Sequence, residues 1–159
     1  MISRIGIGFD VHRLANGIPF YLGGVKIEYP KGAVGHSDAD VLIHAICDAL
    51  LGAANLGDIG LHFPDNSDEF RGIDSKILLD RTLQLINKHG YSVGNIDSVV
   101  MLEKPKIKDL IPTMRETLAR VLKISTDRIS IKATTTEGMG FIGMGQGVAA
   151  QAVVMINKE

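Results

Sequence analysis

The sequence has no tryptophan and only one cysteine, Cys47, among its 159 residues. A single cysteine excludes an intrachain disulfide and any zinc site built from several thiolates. No stretch is long and apolar enough to span a bilayer. The amino terminus also lacks the charged start, apolar middle and cleavage site of a signal peptide. These absences predict a cytoplasmic protein in a reducing compartment, with no membrane partner.

The chain likewise lacks an excess of charge of either sign. It contains 17 Lys and Arg and 18 Asp and Glu, which gives a formal net charge of −1. A nearly neutral chain has no general attraction to nucleic acid, so no nucleic-acid partner is expected and any anion site must be local. The length and the 45% hydrophobic fraction fit one globular domain with a buried core. We predict a single domain over residues 1–159.

Hydrophobic periodicity predicts strands mixed with three helices. Residues 3–12 alternate with a period of two, which predicts a strand, and residues 38–55 are apolar almost all round, which predicts a deeply buried helix. The other predicted elements are a hairpin at 19–29, helices at 74–89 and 108–122, strands at 96–103, 128–135 and 148–156, and loops at 30–37, 57–72 and 137–147. This order predicts an α+β fold in which helices cover one face of a mixed β-sheet.

Asp10, His12 and His44 form a candidate metal site. Asp10 and His12 are two apart on a predicted strand and leave the same face, while His44 shares the single polar face of the buried helix with Asp40 and Asp48. One carboxylate and two imidazoles are common ligands of catalytic zinc, with a fourth position left open. The residues alone leave a metal site and a hydrogen-bonded core histidine as alternatives. Asp48 either orients an imidazole or is a solvated helix residue.

Two further segments suit phosphate groups. His36 and Ser37 precede the buried helix, where backbone N–H groups and the dipole favour anions, although Ser37 and Asp38 are also helix-cap candidates. Residues 132–137, KATTTE, offer hydroxyls for phosphate oxygens and one carboxylate for Mg²⁺, although three threonines also suit a plain edge strand. Residues 104–106, KPK, either wall a phosphorylated ligand or form a solvated turn. The residues therefore point to a zinc enzyme for a diphosphate-bearing compound.

Taken in order, these segments resemble the 2-C-methyl-D-erythritol 2,4-cyclodiphosphate synthase family of the non-mevalonate isoprenoid pathway. The resemblance runs from Arg4 to Asn157. The segments that carry it are GFDVH at 8–12, HSDAD at 36–40, VLIHAICDALLGAANLGDIG at 41–60, FPD at 63–65, KATTTE at 132–137 and GFIGMGQGVA at 140–149. It implies a phosphorus–oxygen lyase that converts 4-diphosphocytidyl-2-C-methyl-D-erythritol 2-phosphate into the cyclic diphosphate and releases CMP, because the substrate's 2-phosphate attacks its own β-phosphorus.

The resemblance also implies a role for individual residues and an assembly. The implied catalytic residues are His36 and Thr135, and the implied metal ligands are Asp10, His12 and His44 for one Zn²⁺ per subunit and Glu137 for Mg²⁺ or Mn²⁺. The family is a homotrimer built around its sheets, with active sites at subunit interfaces. The positions that match its substrate-binding segments are Asp10, Val11, His12, His36, Ser37, Asp58, Ile59, Gly60, Phe63, Pro64, Asp65, Asn66, Ser67, Leu102, Glu103, Lys104, Pro105, Lys106, Ile107, Lys108, Thr134, Thr135, Thr136, Glu137 and Phe141.

The chain departs from the family pattern at two points. Many members have an Arg and a Glu where this chain has Met144 and Gln146. Met144 cannot pair with a phosphate, so the family's accessory isoprenoid diphosphate site at the mouth of the trimer's central cavity lacks its Arg here. Ala39 replaces a usual Gly, which predicts a stiffer loop with activity retained.

Two alternatives to the synthase remain on the same scaffold. The first is another zinc-dependent phosphohydrolase. The second is a non-catalytic, metal-stabilised trimer that acts as an interaction module. Glu137 and the threonines beside it argue against the second, because a module has no need of a carboxylate for a second metal.

Overall fold

The computed structural model describes residues 1–158 and contains one five-stranded sheet, one small hairpin sheet and helices. Its strands are β1 (Ile2–Asn16), β2 (Phe20–Leu22), β3 (Val25–Ile27), β4 (Lys31–Val34), β5 (Tyr91–Met101), β6 (Ile129–Thr134) and β7 (Gly147–Lys158). Its α-helices are α1 (Val41–Ala53), α2 (Ile59–His62), α3 (Ser75–Lys88), α4 (Ile111–Leu122) and α5 (Gly140–Gly143), with short 3₁₀ turns at Asp68–Phe70, Lys108–Leu110 and Thr126–Arg128.

The large sheet has the strand order β4-β1-β7-β5-β6. The long strands β1 and β7 pair antiparallel at its centre, from Ile2 opposite Lys158 to Arg13 opposite Gly147. β5 pairs antiparallel with β7, and β6 pairs parallel with β5, so the sheet is mixed. The predicted α+β class with a mixed sheet and three principal helices is therefore confirmed.

Glycines in β1 let helix α1 lie directly on the sheet. A Cβ atom added to Gly8 would be 1.9 Å from the carbonyl oxygen of Ala45, and one added to Gly6 would be 1.9 Å from that of Ala49. The backbone of α1 thus occupies the space that strand side chains would take. This close approach brings the polar face of α1 within reach of the next two residues on the same face of β1, Asp10 and His12.

The opposite face of the large sheet carries apolar side chains that no helix within residues 1–158 covers. Ile5, Ile7 and Phe9 are 75%, 64% and 54% exposed, and Val153 on β7 lies exposed beside them. Alternation along β1 is as predicted, but its large apolar residues point away from the core because the glycines face the helix. The chain therefore presents a broad apolar surface made of strands.

The start of α1 is capped differently from the prediction. Asp40, not Ser37 or Asp38, is the N-cap residue, and one of its carboxylate oxygens accepts a 3.1 Å hydrogen bond from Ile43 N–H. The same carboxylate accepts hydrogen bonds from Gly23 and Gly24 N–H in the β2–β3 turn, at 2.9 and 2.7 Å. Asp40 is fully buried. Its carboxylate accepts hydrogen bonds from three backbone N–H groups, which stabilises it as the N-cap residue of α1.

Ala39 adopts a left-handed backbone conformation, with φ of 57°. This conformation costs an L-residue with a Cβ about 1–2 kcal/mol of conformational free energy, whereas glycine adopts it without that cost. The structure thus gives a conformational reason why glycine suits this position, and it locates local backbone strain immediately before α1.

Short elements replace parts of the predicted loops. Strand β4 lies within the predicted loop 30–37, α2 and a 3₁₀ turn lie within 57–72, and α5 lies within 137–147. β4 forms because β1 extends to Asn16 and offers it a partner edge, which local sequence cannot reveal. Among residues 1–158, no helix has both the length and the hydropathy needed to cross a membrane.

Candidate metal and phosphate site

Asp10, His12 and His44 converge as predicted from their spacing. The Asp10 Oδ2 atom lies 2.9 Å from His12 Nε2 and 3.0 Å from His44 Nδ1, and the two histidine nitrogens are 3.2 Å apart. β1 supplies the first two side chains from its helix-facing side, and α1 supplies the third. Three potential ligand atoms therefore face a common point at the edge of the core.

The donor set fits a zinc ion. Zinc–ligand bonds of about 2.0–2.2 Å in a tetrahedral site place ligand atoms roughly 3.3 Å apart, close to the separations among Asp10, His12 and His44. His12 Nε2 and His44 Nδ1 lie 3.2 Å apart, so either one of them carries a hydrogen or a cation lies between them, because two lone pairs at this distance repel. Among residues 1–158 this is the group of His, Cys, Asp or Glu side chains arranged to hold a metal.

The three side chains also change each other's protonation. Burial opposes the charged form of Asp10, but hydrogen bonds and charge from His12 and His44 outweigh it and lower its pKa to about 2. Burial opposes protonation of His44, yet the Asp10 carboxylate outweighs that effect and raises the pKa of His44. A proton on His44 therefore competes with a metal for the same nitrogen.

Zinc is expected to stabilise the protein more at about pH 8 than at about pH 6. Without metal, the raised pKa of His44 gives stability that is fully present below the ordinary value of 6.5 and is lost as pH rises through the folded-state pKa. Asp10 stays ionised throughout this range. Because zinc must displace the His44 proton, its own contribution grows with pH. Calorimetric melting of metal-free and zinc-loaded protein measures the difference, and an equal or larger zinc effect at the lower pH contradicts the expectation.

A cavity of about 380 Å³ opens beside the three metal-ligand candidates. Besides them it is lined by Gly35, His36, Ser37, Ile59, Gly60, Phe63, Asp65, Phe70 and Leu78. The structure thus brings the predicted loop residues 36 and 37 and several residues of 59–65 to one place. The sequence does not predict Gly35, Phe70 and Leu78 as cavity residues, because an isolated glycine and two apolar residues in a turn and a helix carry no chemical signal.

Other predicted residues near this cavity have structural partners of their own. Asp58 caps α2 by accepting a 2.9 Å hydrogen bond from Leu61 N–H, and Pro64, Asn66 and Ser67 do not line the cavity wall. Asp48 neither orients an imidazole nor is simply solvated, because its Oδ1 atom accepts a 2.8 Å hydrogen bond from Ile59 N–H. α1 therefore holds the start of the segment that closes one side of the cavity.

The loop 36–40 is fastened to the start of α3. Gly72 N–H donates to the His36 carbonyl at 2.7 Å, and Asp38 N–H donates to the Ile73 carbonyl at 3.1 Å. The Asp38 carboxylate also accepts from Ser75 N–H at 2.9 Å. These bonds fix the backbone that presents His36 and Ser37 to the cavity.

The second predicted phosphate segment lies elsewhere on the chain. Leu102, Pro105, Lys106 and Ile107 line a small cavity of about 70 Å³ together with Ala133, Thr134 and Thr135. Leu102 N–H donates to the Thr134 carbonyl at 2.9 Å, which joins the two segments. Parts of the two segments therefore lie side by side, but this cavity shares no lining residue with the one beside the candidate metal ligands.

The remaining residues of this segment differ in their surroundings. Glu137 is exposed, takes a left-handed φ of 54°, and its N–H donates to Thr135 Oγ1 at 3.3 Å. Lys132 does not join the threonines, because its ammonium pairs with Asp97 on the neighbouring strand. A third cavity, of about 450 Å³, is lined by the predicted residues Val11 and Phe141 with basic neighbours.

Known proteins resemble this chain over almost its whole length. The model of the YgbB family matches residues 3–157. The 2-C-methyl-D-erythritol 2,4-cyclodiphosphate synthase of Bacteroides fragilis is 57% identical over 158 residues, 99% of each chain. The protein of the same name from Clostridium perfringens is 52% identical over 155 residues, 98% of this chain and 99% of its own.

Solved structures show the same fold. The bifunctional IspDF of Campylobacter jejuni matches 99% of this chain with 43% of its own length, at 40% identity and a TM-score of 0.96. A 2C-methyl-D-erythritol-2,4-cyclodiphosphate synthase in a CDP-bound form matches 97% of this chain and all of its own, at 39% identity and a TM-score of 0.89. The likeness thus extends over sequence and fold together.

Proposed function

This chain belongs to the YgbB family and is a cyclodiphosphate synthase, and from that premise we propose its substrate, metals and assembly. The substrate is 4-diphosphocytidyl-2-C-methyl-D-erythritol 2-phosphate, and the products are 2-C-methyl-D-erythritol 2,4-cyclodiphosphate and CMP. The observation that carries this proposal is the convergence of Asp10, His12 and His44 beside an open cavity. The chain is also 57% identical to a relative named 2-C-methyl-D-erythritol 2,4-cyclodiphosphate synthase. The single catalytic domain and cytoplasmic location stay predictions.

The chemistry asks the protein for positioning and charge, not for a nucleophile. The 2-phosphate of the substrate attacks the β-phosphorus, and the bond to the CMP oxygen breaks, so both reacting groups belong to one molecule. Holding them in line accounts for much of the rate. His36 and Ser37 are fixed at the cavity wall by the bonds of the 36–40 loop, where they serve as donors to phosphate oxygens.

Metal ions would supply the positive charge that this neutral chain lacks. Zinc held by Asp10, His12 and His44 would act as a Lewis acid next to phosphate oxygens, and Mg²⁺ or Mn²⁺ held by Glu137 would offset charge on the diphosphate. Thr135 lies two residues before Glu137 and its hydroxyl oxygen accepts the Glu137 N–H, so its position depends on the conformation of that turn. The proposed substrate contacts of Thr134 and Thr136 depend on the same turn.

We further propose a homotrimer with shared active sites. The metal-ligand cavity and the 102–107 cavity are lined by different residues of one chain, and the sheet face with Ile5, Ile7 and Phe9 is exposed. Packing that face against copies of itself buries apolar area and lets one chain's 102–108 segment meet another's metal site. Sedimentation equilibrium of the purified protein tests this, and a stable monomer at micromolar concentration would rule it out.

Product analysis separates the synthase from a zinc-dependent phosphohydrolase. Incubation with the diphosphocytidyl substrate and both metals is expected to yield a cyclic diphosphate and CMP in equal amounts, resolved by phosphorus NMR. Linear phosphates with no cyclic product would refute the synthase and favour the hydrolase. Heat-inactivated protein gives the baseline for uncatalysed breakdown.

Glu137→Gln is expected to spare zinc binding and to lower Mg²⁺-dependent turnover by about tenfold or more, because an amide is a poorer Mg²⁺ ligand than a carboxylate. The side chain is exposed, so folding is unaffected. Turnover as a function of Mg²⁺ concentration, with zinc content by elemental analysis, measures both effects. Glu116→Gln on an exposed position of α4 is the matched control. Unchanged turnover in Glu137→Gln at every Mg²⁺ concentration refutes the assignment.

A further inference from the structure

The second ring nitrogen of His44 has a buried partner outside the proposed ligand set. His44 Nδ1 faces Asp10 and His12, whereas His44 Nε2 lies 3.0 Å from the hydroxyl oxygen of Ser75. Ser75 is fully buried, so water does not compete for its hydroxyl. It stands at the first position of α3, 31 residues from His44 along the chain.

Asp38 determines which way the Ser75 hydroxyl points. The two Asp38 carboxylate oxygens accept the hydroxyl and the backbone N–H of Ser75, the latter at 2.9 Å. An ionised carboxylate only accepts hydrogen bonds. The single hydroxyl hydrogen of Ser75 is therefore committed to Asp38, and the oxygen turns its lone pairs toward His44.

This direction selects one tautomer of His44. A Ser75 oxygen that only accepts requires a hydrogen on Nε2 of His44, which leaves the lone pair of a neutral ring on Nδ1. That is the nitrogen that faces Asp10 and His12. A metal ligand whose other ring nitrogen is held by a hydrogen-bond acceptor has both its tautomer and its ring orientation fixed.

We infer that Ser75, held by Asp38, is a positioning residue that fixes the metal-binding form of His44. The inference rests on the proposed metal site and adds a residue that the sequence analysis did not select. Ser37 differs from Ser75, although its hydroxyl oxygen is 3.1 Å from the same nitrogen. Ser37 accepts from Ala39 N–H at 3.2 Å, and no carboxylate within the described residues 1–158 accepts its hydroxyl hydrogen, which can therefore point to a ligand in the cavity.

Zinc affinity of the full chain tests this role. Ser75→Ala and Asp38→Asn are expected to raise the zinc dissociation constant by about 10–100-fold in a chelator competition. Ser37→Ala is expected to change it by less than about threefold, because that hydroxyl does not set the tautomer. With Co²⁺ as the probe, Ser75→Ala is expected to shift the visible absorption bands, which report ligand geometry.

Ser98→Ala is the matched control. Ser98 is also buried, and its hydroxyl donates one 2.9 Å hydrogen bond to the Ser130 carbonyl, away from the metal ligands. A purely structural role for Ser75 predicts that both alanine variants lose metal-free stability and that neither changes the zinc dissociation constant or the Co²⁺ spectrum. That result would overturn the inference.

The remaining outcomes are also decisive. If Ser75→Ala does not fold, Asp38→Asn decides, because it preserves side-chain shape and can still accept from Ser75 N–H; zinc affinity equal to that of the native chain would then refute the role. If the native chain itself binds no zinc, the metal site and this inference both fail. If it binds zinc but forms no cyclic product, only the proposed reaction fails.

Discussion

His44→Ala is expected to abolish zinc binding and turnover together. Alanine removes the one ligand that α1 contributes, and the remaining Asp10 and His12 leave a site with two protein ligands where catalytic zinc has three. Zinc content should fall from one per chain to none, and turnover should fall by at least about a hundredfold, the size of the loss when one electrostatic contact to a transition state is removed.

The control for this result is His89→Ala. His89 is an exposed histidine at the end of α3 whose ring contacts the Leu85 carbonyl, so its loss tests whether any histidine affects metal content. Elemental analysis after dialysis and a turnover assay give the two measurements. Zinc that remains at one per chain in His44→Ala would show that the ligand set is wrong.

Gly8→Ala is expected to destabilise the protein by about 4 kcal/mol or more, which most domains cannot absorb. The new Cβ would lie 1.9 Å from the Ala45 carbonyl oxygen and 2.8 Å from Ala49 N. Both atoms belong to the backbone of α1, so no side chain can move aside. The helix must retreat from β1, which opens the core and separates His44 from Asp10.

Gly52→Ala makes the same chemical change at an exposed position of α1 itself. A Cβ there meets nothing within 4 Å, so alanine is expected to stabilise α1 by about 0.5–1 kcal/mol through its higher helix propensity. Urea unfolding of both variants, followed by circular dichroism, measures the two opposite effects. A Gly8→Ala protein within 1 kcal/mol of the native chain would contradict the close packing.

The sequence predicts the long elements because their periodicity is strong, but it does not predict which face is covered. Alternation in β1 is clear, and the apolar residues of such a strand normally face the core. Ile5, Ile7 and Phe9 are instead exposed on the opposite face of the sheet. The reason is that Gly6 and Gly8 permit a helix at a distance that larger residues forbid. Only the tertiary contact with α1 reveals this.

The convergence of the candidate metal ligands is predictable because their spacing combines a strand period of two with a helix period of nearly four. Asp10 and His12 share a strand face, and His44 occupies the one polar stripe of an apolar helix. Ser75 is not predictable in this way. A serine at the start of a helix is ordinary in sequence, and its contact with Asp38 depends on how α3 docks against the 36–40 loop.

Helix α1 and its N-cap carry one polar residue per turn, and each contacts a different neighbouring element. Asp40 holds the β2–β3 turn, His44 faces the candidate metal ligands of β1, and Asp48 holds the start of α2. Inserting one residue between any two of them would rotate the rest of the helix by about 100° and shift it by about 1.5 Å. At least one of the three contacts would then be lost. The eight-residue interval from Asp40 to Asp48 is therefore a fixed length that this arrangement requires.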